Sequence, residues 1–180
     1  MSKWHSQKYL KNEKKINVSE CCIDAKFVPA KKGGTCVGKT KCGKGTKLVA
    51  ITDKSGRPVS VLITDASCHE VRLVEPALDA CWTSEYPAVL IGDKAYDSDP
   101  LDASLRSRGV EMVAPHKKNR KRQATQDGRR LRRYKHRFKV ERFFSWLEDF
   151  RRLVVRWEHY AENYLGFVLL ACIRMSLKYL

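Results

Sequence analysis

The amino-acid sequence predicts an α/β fold in which a mixed five-stranded sheet is flanked by helices. Short runs of β-branched residues lie between turn residues, as strands do, while other segments repeat their apolar residues at helical spacing. The predicted order is three strands, a helix, a strand, a helix, a strand and then the C-terminal helices. A chain of 180 residues is long enough to form one domain with a sizeable core.

The first half of the chain supplies three of the strands. Residues 1–18 are polar and rich in lysine, and we expect them to form a loose basic arm before a domain of residues 19–180. The segment 31–45 is dense in glycine and lysine, which is typical of a mobile loop. Residues 53–58 contain Asp, Ser, Gly and Pro, so they predict a hairpin turn. The strands are predicted over residues 19–28, 46–52 and 59–64.

The second half alternates helices with buried strands before it becomes helical. Ser67 and Glu70 have the spacing of a capping box, which predicts the start of a helix that restarts near Pro76. Asp99 is expected to begin the next helix and Gly109 to end it. Strands are predicted over residues 88–92 and 110–115, and helices over residues 67–82, 99–108, 129–156 and 162–180.

The predicted helix over residues 129–156 is basic and has two distinct faces. It contains no proline or glycine, and its apolar residues recur at helical spacing, which favours packing against a core. Glu141 is the lone acidic residue in its first half, so it either forms an ion pair with Arg137 or binds a metal. The apolar stripe comprises Val140, Phe143, Phe144, Leu147, Phe150 and Val154, and the neighbouring face carries Tyr134, Arg137, Glu141 and Glu148.

The formal net charge of +16 implies a polyanionic partner, either nucleic acid or an anionic membrane surface. Residues 117–142 hold 13 Lys and Arg residues and two acidic residues, which gives this segment a net charge of +11. The longest apolar run is too short to span a bilayer, and the N-terminus has no apolar stretch typical of a signal peptide. We therefore expect a cytoplasmic protein that binds nucleic acid and no membrane.

The seven cysteines favour free thiols in a reducing compartment, because their number is odd and no secretion signal is present. Cys36 and Cys42 have five residues between them and no matching Cys or His pair follows, which argues against a structural zinc site. Most of the cysteines are expected to be small core residues. Trp146 and Trp157 lie near the apolar stripe, so we expect them in the core rather than stacked on bases.

Three acidic residues occupy positions that suit a catalytic site. Asp24 lies on the first strand, Asp93 directly follows the strand at residues 88–92, and Glu141 lies on the basic helix. Catalytic groups gather near strand ends in sheets that carry helices on their faces. Three carboxylates repel one another unless a cation shares them, and such oxygen ligands suit Mg²⁺ or Mn²⁺. Two such ions are the usual device for in-line displacement at a phosphodiester.

Five stretches of the chain carry a resemblance to a known family: CIDAKFV, GRPVSVLITDASCHE, LIGDKAYDS, APHKKNRK and YKHRFKVERFFSWLEDFRRL. Over about residues 19–175 the chain resembles the catalytic domain of DDE transposases, most closely the bacterial insertion-sequence transposases of the IS-four and IS-five types. The resemblance implies an RNase H-like fold and metal-dependent cleavage and joining of DNA strands for cut-and-paste transposition. It also implies that Asp24, Asp93 and Glu141 are the catalytic, metal-binding triad.

The resemblance further implies double-stranded DNA as the partner, both transposon ends and target, with the protein associated with the nucleoid when bound. Proteins similar to this chain carry a DNA end-binding region ahead of the first acid, so we expect that part from an upstream reading frame. We also expect a homo-oligomer on DNA. The residues expected to contact DNA are Tyr134, Arg137, Lys117, Lys118, Arg120, Arg133, Lys139, Arg151 and Arg152.

The chain departs from the family signature at one position, where a basic residue is expected. A lysine often stands two helical turns beyond the glutamate, whereas this chain has Glu148 followed by Asp149. Either Arg151 or Arg152 takes over the phosphate contact, or this copy is weakened. The alternatives are an RNase H-like nuclease and an inactive, basic DNA-binding remnant, which should hold DNA equally well in EDTA. We interpret Asp65, Asp97 and Asp99 as turn or helix-cap residues, and His116 as a phosphate-side or loop residue rather than a metal ligand.

Overall fold

The computed structural model describes residues 16–118, 120–121, 123 and 128–178. Its central sheet comprises β1 (Glu20–Pro29), β2 (Gly38–Thr40), β3 (Gly43–Thr52), β4 (Pro58–Asp65), β5 (Val89–Ile91) and β6 (Glu111–Val113). The five predicted strands are confirmed, but the sheet has six strands, because β2 lies in the segment expected to be a loop. Gly43 has a φ of +101°, and this left-handed conformation completes the tight turn that pairs β2 with β3.

β1 lies in the middle of the sheet, antiparallel to β3 and parallel to β5. β4 continues the sheet antiparallel to β3, and β6 continues it parallel to β5. The sheet is therefore mixed, with the order β4-β3-β1-β5-β6 and β2 paired to the first residues of β3. Because β5 has only three residues, β1 extends past its end, and the loop after β5 begins beside the middle of β1.

The helices are mostly short. They are α1 (Val74–Asp79), α2 (Asp99–Ser107), α3 (Gly128–Leu131), α4 (Phe138–Glu148), α5 (Arg151–Val154) and α6 (Ala161–Leu177), with 3₁₀ turns at Glu70–Leu73, Lys94–Tyr96 and Arg132–Arg137. Asp99 begins α2 and Gly109 follows its end with a φ of +73°, as predicted. The capping box was wrong, because Ser67 bonds to Asp65 through its hydroxyl at 2.6 Å and the 3₁₀ turn begins three residues later.

The long basic helix predicted over residues 129–156 was also wrong, since the chain divides there into α3, a 3₁₀ turn, α4 and α5. Phe150 has φ −90° and ψ 93°, an extended conformation that separates α4 from α5. The apolar stripe changes register at this break. Leu153 is buried, whereas Val154, which the uninterrupted helical pattern placed in the core, is 43% exposed. The four residues of the stripe on α4 are all buried as predicted.

Two apolar layers cover the two faces of the sheet. Cys22 and Val28 on β1 pack with α4 and α6, while Cys21 and Ile23 pack on the opposite side with α1 and α2. Successive strand residues point to opposite faces, so Asp24 shares the face of Cys22. The helix that carries the third predicted acid therefore covers the face of the sheet on which the first acid lies.

The predicted arm falls mainly on residues 1–15, which lie outside the described residues. Its last three residues contact the domain: Ile16 and Val18 pack against the core, and the Val18 carbonyl accepts a hydrogen bond from Ala88. Among the described residues, no helix is both long and apolar enough to cross a membrane.

The cysteines and tryptophans follow their predictions only in part. All seven cysteines have free thiols, as predicted. Only Cys21, Cys22 and Cys172 are buried. Trp146 packs against the core as expected, but Trp157 is 48% exposed, because it follows the break after α5 rather than continuing the helical stripe.

Candidate active site

The parallel pairing of β1 and β5 brings Asp24 and Asp93 together. Cys22 is paired with Ile91, a difference of 69 in residue number, and Asp24 and Asp93 differ by the same 69. The pairing ends at these residues, but its register directs the chain after β5 toward Asp24, and Asp93 lies near enough to raise the pKa of the Asp24 carboxyl. Asp93 also fixes the loop after β5, because its side chain accepts a hydrogen bond from the backbone N–H of Ala95 at 2.7 Å.

Arg137 connects Asp24 to Glu141. The same guanidinium nitrogen lies 3.0 Å from an Asp24 oxygen and 3.2 Å from a Glu141 oxygen. These two oxygens are therefore no farther apart than the sum of the two distances, 6.2 Å. The other terminal nitrogen donates to the Tyr134 hydroxyl at 3.2 Å. The 3₁₀ turn and the first turn of α4 thus direct a half-buried arginine into a group of carboxylates.

The electrostatics of the site follow from burial and crowding of like charges. Burial raises the pKa of the Asp24 carboxyl above its ordinary value, and Asp93 adds to the rise, whereas the hydrogen bond from Arg137 lowers it. Burial alone would lower the pKa of Arg137, but its hydrogen bonds to Asp24 and Tyr134 raise it. A permanently charged guanidinium therefore compensates carboxylates that are costly to ionise together.

The donor atoms suit a hard divalent cation, since three carboxylates lie around one face of the sheet. Within the part of the chain that the structure describes, however, no three Asp, Glu, His or Cys side chains are grouped closely enough to hold an ion. Arg137 lies between Asp24 and Glu141 and supplies the positive charge there. The assignment of Asp24, Asp93 and Glu141 as the metal-binding triad thus stays a prediction.

Two residues that the sequence analysis did not assign to the site, Glu70 and Tyr96, lie within electrostatic reach of these acids. Burial raises the pKa of Glu70, Lys47 lowers it, and both Asp93 and Asp24 raise it. The Lys47 ammonium lies 3.6 Å from the Glu70 carboxylate. Tyr96 is fully buried beside the same acids, and its hydroxyl has no hydrogen-bond partner among the described residues. Glu70 ends the second of the family-like stretches, which is the signal that could have found it.

Lys26 is a third residue that the sequence reasoning missed. It lies two residues beyond Asp24 on β1 and forms an ion pair with Glu148 at the end of α4. The two-residue period of a strand would have placed Lys26 on the same face as Asp24. Glu148, at the position where the resemblance led us to expect a lysine, is therefore paired with a lysine of the sheet.

The predicted DNA-contacting loop after β6 is fixed by Asp97. This carboxylate lies 2.9 Å from the His116 ring and 2.9 Å from the Arg120 guanidinium, and it accepts a hydrogen bond from the Lys117 N–H at 2.9 Å. Arg120 also contacts Asp99 at 2.6 Å, so its guanidinium is engaged within the protein. Lys117 and Lys118 remain exposed. The interpretation of Asp97 as a simple turn residue was incomplete, because it holds this loop to the domain.

The other predicted DNA-contacting residues differ in their surroundings. Arg152 forms an ion pair with Glu158 at 2.5 Å, whereas Arg151 is exposed. Arg133 is exposed and lies 3.9 Å from Glu20, and Lys139 is half-buried on the first turn of α4. We call the exposed residues of this set the basic surface: Lys117, Lys118, Arg133, Arg151 and Arg152.

Comparisons with known proteins agree with this architecture. The family model of the transposase DDE domain matches residues 19–176. A putative transposase for insertion sequence element IS402 from Burkholderia cepacia is 32% identical over 136 residues, which cover 71% of this chain and 61% of that protein. A putative transposase for insertion sequence element IS6501 from Brucella ovis is 32% identical over 135 residues, 74% of this chain and 98% of that protein. The chain thus spans about three fifths of the length of the IS402 relative.

A solved structure gives the same fold. The cryo-EM structure of the piggyBac transposase synaptic complex with hairpin DNA has a TM-score of 0.58 at 10% sequence identity, covering 86% of this chain and 45% of that chain. This likeness and the strand order confirm the predicted RNase H-like fold. The finer assignment to the IS-four and IS-five types stays a prediction.

Proposed function

The chain belongs to the transposase DDE domain family, and from this premise we propose that it catalyses metal-dependent cleavage and joining of DNA strands during transposition of an insertion sequence. The observation that supports the proposal is the shared contact of Asp24 and Glu141 with one nitrogen of the Arg137 guanidinium. Asp93 adds to this support, because it follows the strand paired with β1 and raises the pKa of Asp24.

Asp24, Asp93 and Glu141 would hold Mg²⁺ or Mn²⁺, and we propose two ions. When bound, such ions supply Lewis-acid stabilisation of the charge that develops on the reacting phosphate and activate a water or a 3′-hydroxyl. Arg137 keeps the Asp24 and Glu141 carboxylates together by compensating their charge. Its fork also suits a DNA phosphate, because a guanidinium binds phosphate oxygens with directed hydrogen bonds.

The substrate is double-stranded DNA, both transposon ends and target, and the basic surface positions it. Residues 117–142 carry a net charge of +11 by composition, and Lys117, Lys118 and Arg133 are exposed. Such a surface binds phosphates with little sequence preference. We further propose that recognition of the element's ends comes from an additional DNA-binding part supplied by an upstream reading frame, and that the protein acts as a homo-oligomer on DNA.

Single substitutions of the two strand-end acids test this function. Asp24→Asn and Asp93→Asn should abolish cleavage and joining by the complete transposase, on a duplex that carries the element's end with Mg²⁺. Asp79→Asn is the matched control, because Asp79 is an exposed aspartate that pairs with Arg108 away from the site. Mn²⁺ binding, followed by electron paramagnetic resonance, should weaken in the first two variants and stay unchanged in the control.

Other results would favour the competing functions. Cleavage without any joined product would identify a nuclease. DNA binding without cleavage under every metal condition would identify an inactive binding remnant. Full activity of Asp24→Asn or Asp93→Asn would show that Asp24 and Asp93 do not form the catalytic site.

A further inference from the structure

A second charged pair lies beside the carboxylates, along the same strand and helix. β1 carries Asp24 and then Lys26 on one face, while α4 carries Glu141 and then Glu148 two turns later. Asp24 and Glu141 contact Arg137, and Lys26 contacts Glu148. The helix therefore runs along β1 in the same direction, and a lysine ammonium lies next along the strand from the catalytic acids.

This lysine is available to a ligand approaching the site. The Lys26 side chain is 31% exposed and the Glu148 side chain is 53% exposed, so water reaches the ion pair. An ion pair in such surroundings is weak, because solvent screens it and both long side chains lose freedom. A DNA phosphodiester carries the same single negative charge as a carboxylate, but a duplex presents many phosphates together and releases counterions when it binds cations, so DNA is able to draw the ammonium away from Glu148.

The two arginines that the sequence offered for this phosphate contact, Arg151 and Arg152, are placed less favourably than Lys26. Arg152 is engaged by Glu158 at 2.5 Å and stands 5.5 Å from the centre of the Phe167 ring. Arg151 is exposed on α5, beyond the extended residue Phe150 that ends the run of α4 over β1. Neither lies on the strand that carries Asp24, whereas Lys26 does.

We propose that Lys26 binds the DNA phosphate backbone beside the catalytic acids, and that Glu148 holds its ammonium in place until DNA arrives. The proposal rests on the proposed function, since it assigns a contact to the same substrate. Lys26 is a DNA-binding residue in this proposal, and it supplies from the sheet a positive charge next to a helix position that carries Glu148. The site then keeps a cation next to its acids although the helix carries a glutamate at that position.

Salt-dependent binding of a short duplex by the whole chain, measured by fluorescence anisotropy in EDTA, tests this contact. Lys26→Gln should lose one phosphate contact. Raising the salt from about 50 to 200 mM should therefore weaken DNA binding by a factor about 3.5 times smaller in this variant than in the parent. Lys178→Gln, which removes an exposed lysine at the end of α6, should leave the slope unchanged. Glu148→Gln should bind more tightly than the parent, because Lys26 loses its competitor.

The reciprocal double variant Lys26→Glu with Glu148→Lys separates a DNA contact from a purely structural pair. It should recover most of the affinity lost in Lys26→Gln, because the ammonium returns to the same place from the other side. An unchanged salt slope in a folded Lys26→Gln variant, or an equal change in Lys178→Gln, would overturn the proposal. Because the assay contains no metal, that result would leave the cleavage test of Asp24 and Asp93 untouched.

Discussion

Replacement of Glu141 by glutamine separates a metal ligand from an ion-pair partner with little change in shape. The substitution keeps the length of the side chain and its place on the first turn of α4. Its amide oxygen keeps a polar atom beside Arg137, which remains bound to Asp24 and Tyr134. What is lost is one negative charge among the acids, and with it the ability of that position to hold a divalent cation.

The structure sets the expected size of both effects. The Glu141 side chain is 53% exposed and its ion pair with Arg137 is 3.2 Å long, so the free energy of unfolding should fall by at most about 1 kcal/mol. Strand cleavage should slow by roughly 10³-fold or more, which corresponds to about 4 kcal/mol of lost transition-state stabilisation. Binding to DNA should be kept or strengthened, since a negative charge leaves a basic surface.

Single-turnover cleavage by the complete transposase, on a duplex that bears the element's end, provides the rate. Urea unfolding of the same variant provides its stability. Glu162→Gln is the matched control, because Glu162 is an exposed glutamate in the first turn of α6, outside the site. If Glu141→Gln cuts as fast as the parent, the glutamate only pairs with Arg137, and the assignment of the third acid is wrong.

Three other outcomes follow from the charges. DNA affinity should fall roughly 10³-fold between about 50 and 200 mM salt if about six phosphates are contacted, and a flat anisotropy titration would contradict this. Because the folded pKa of Asp24 is raised, its contribution to stability is full below the unfolded pKa, near 3.8, and is lost as pH rises through the folded pKa. The free energy of unfolding of the parent, relative to that of Asp24→Asn, should therefore be highest at low pH and decrease as the pH rises. A difference that does not change with pH would contradict the raised pKa of Asp24. Arg156 is fully buried, and its guanidinium donates hydrogen bonds to four backbone carbonyls and to Thr46. Arg156→Met should therefore lower the free energy of unfolding by about 3 kcal/mol or more. A loss below about 1 kcal/mol would show that these hydrogen bonds contribute little to stability.

The strands that the sequence predicted are those with local signals. Residues 46–52 and 59–64 combine β-branched side chains with a turn that contains Gly56, and they pair as a hairpin. The strand β2 has only three residues, Gly38–Thr40, and its structure depends on pairing with β3 rather than on its composition. The residue types of a short strand do not indicate which strand it pairs with, so β2 could not be predicted from its sequence.

The break in the predicted basic helix is a second feature that local sequence patterns do not indicate. Residues 129–156 contain no proline or glycine, so propensity and periodicity both predict one continuous helix. The structure instead bends at Phe150, which lies partly buried against the core, and buries Leu153 on α5. Tertiary packing therefore overrides a local preference that is worth only tenths of a kcal/mol per residue.

The candidate acids were predictable as individual residues, but their relation was not. Asp93 follows a buried strand and Glu141 lies on a helix, which the sequence indicates. That Asp24 lies near Asp93 depends on the register of β1 and β5, and register is a property of the folded sheet. The pairing of Lys26 with Glu148 depends in addition on the direction of α4 across β1.

The ion pair of Glu141 with Arg137 is compatible with the proposed role of Glu141 as a metal ligand, because both roles answer the same electrostatic need. Burial makes the ionised form of Asp24 costly and Asp93 adds to that cost, so these carboxylates need a compensating cation. Arg137 meets that need by contacting both Asp24 and Glu141. In the proposed function these carboxylates would hold a divalent ion, and the Arg137 guanidinium would be available to a DNA phosphate. Without an ion, Arg137 compensates the charges of Asp24 and Glu141, which explains how the protein folds with these two carboxylates close together.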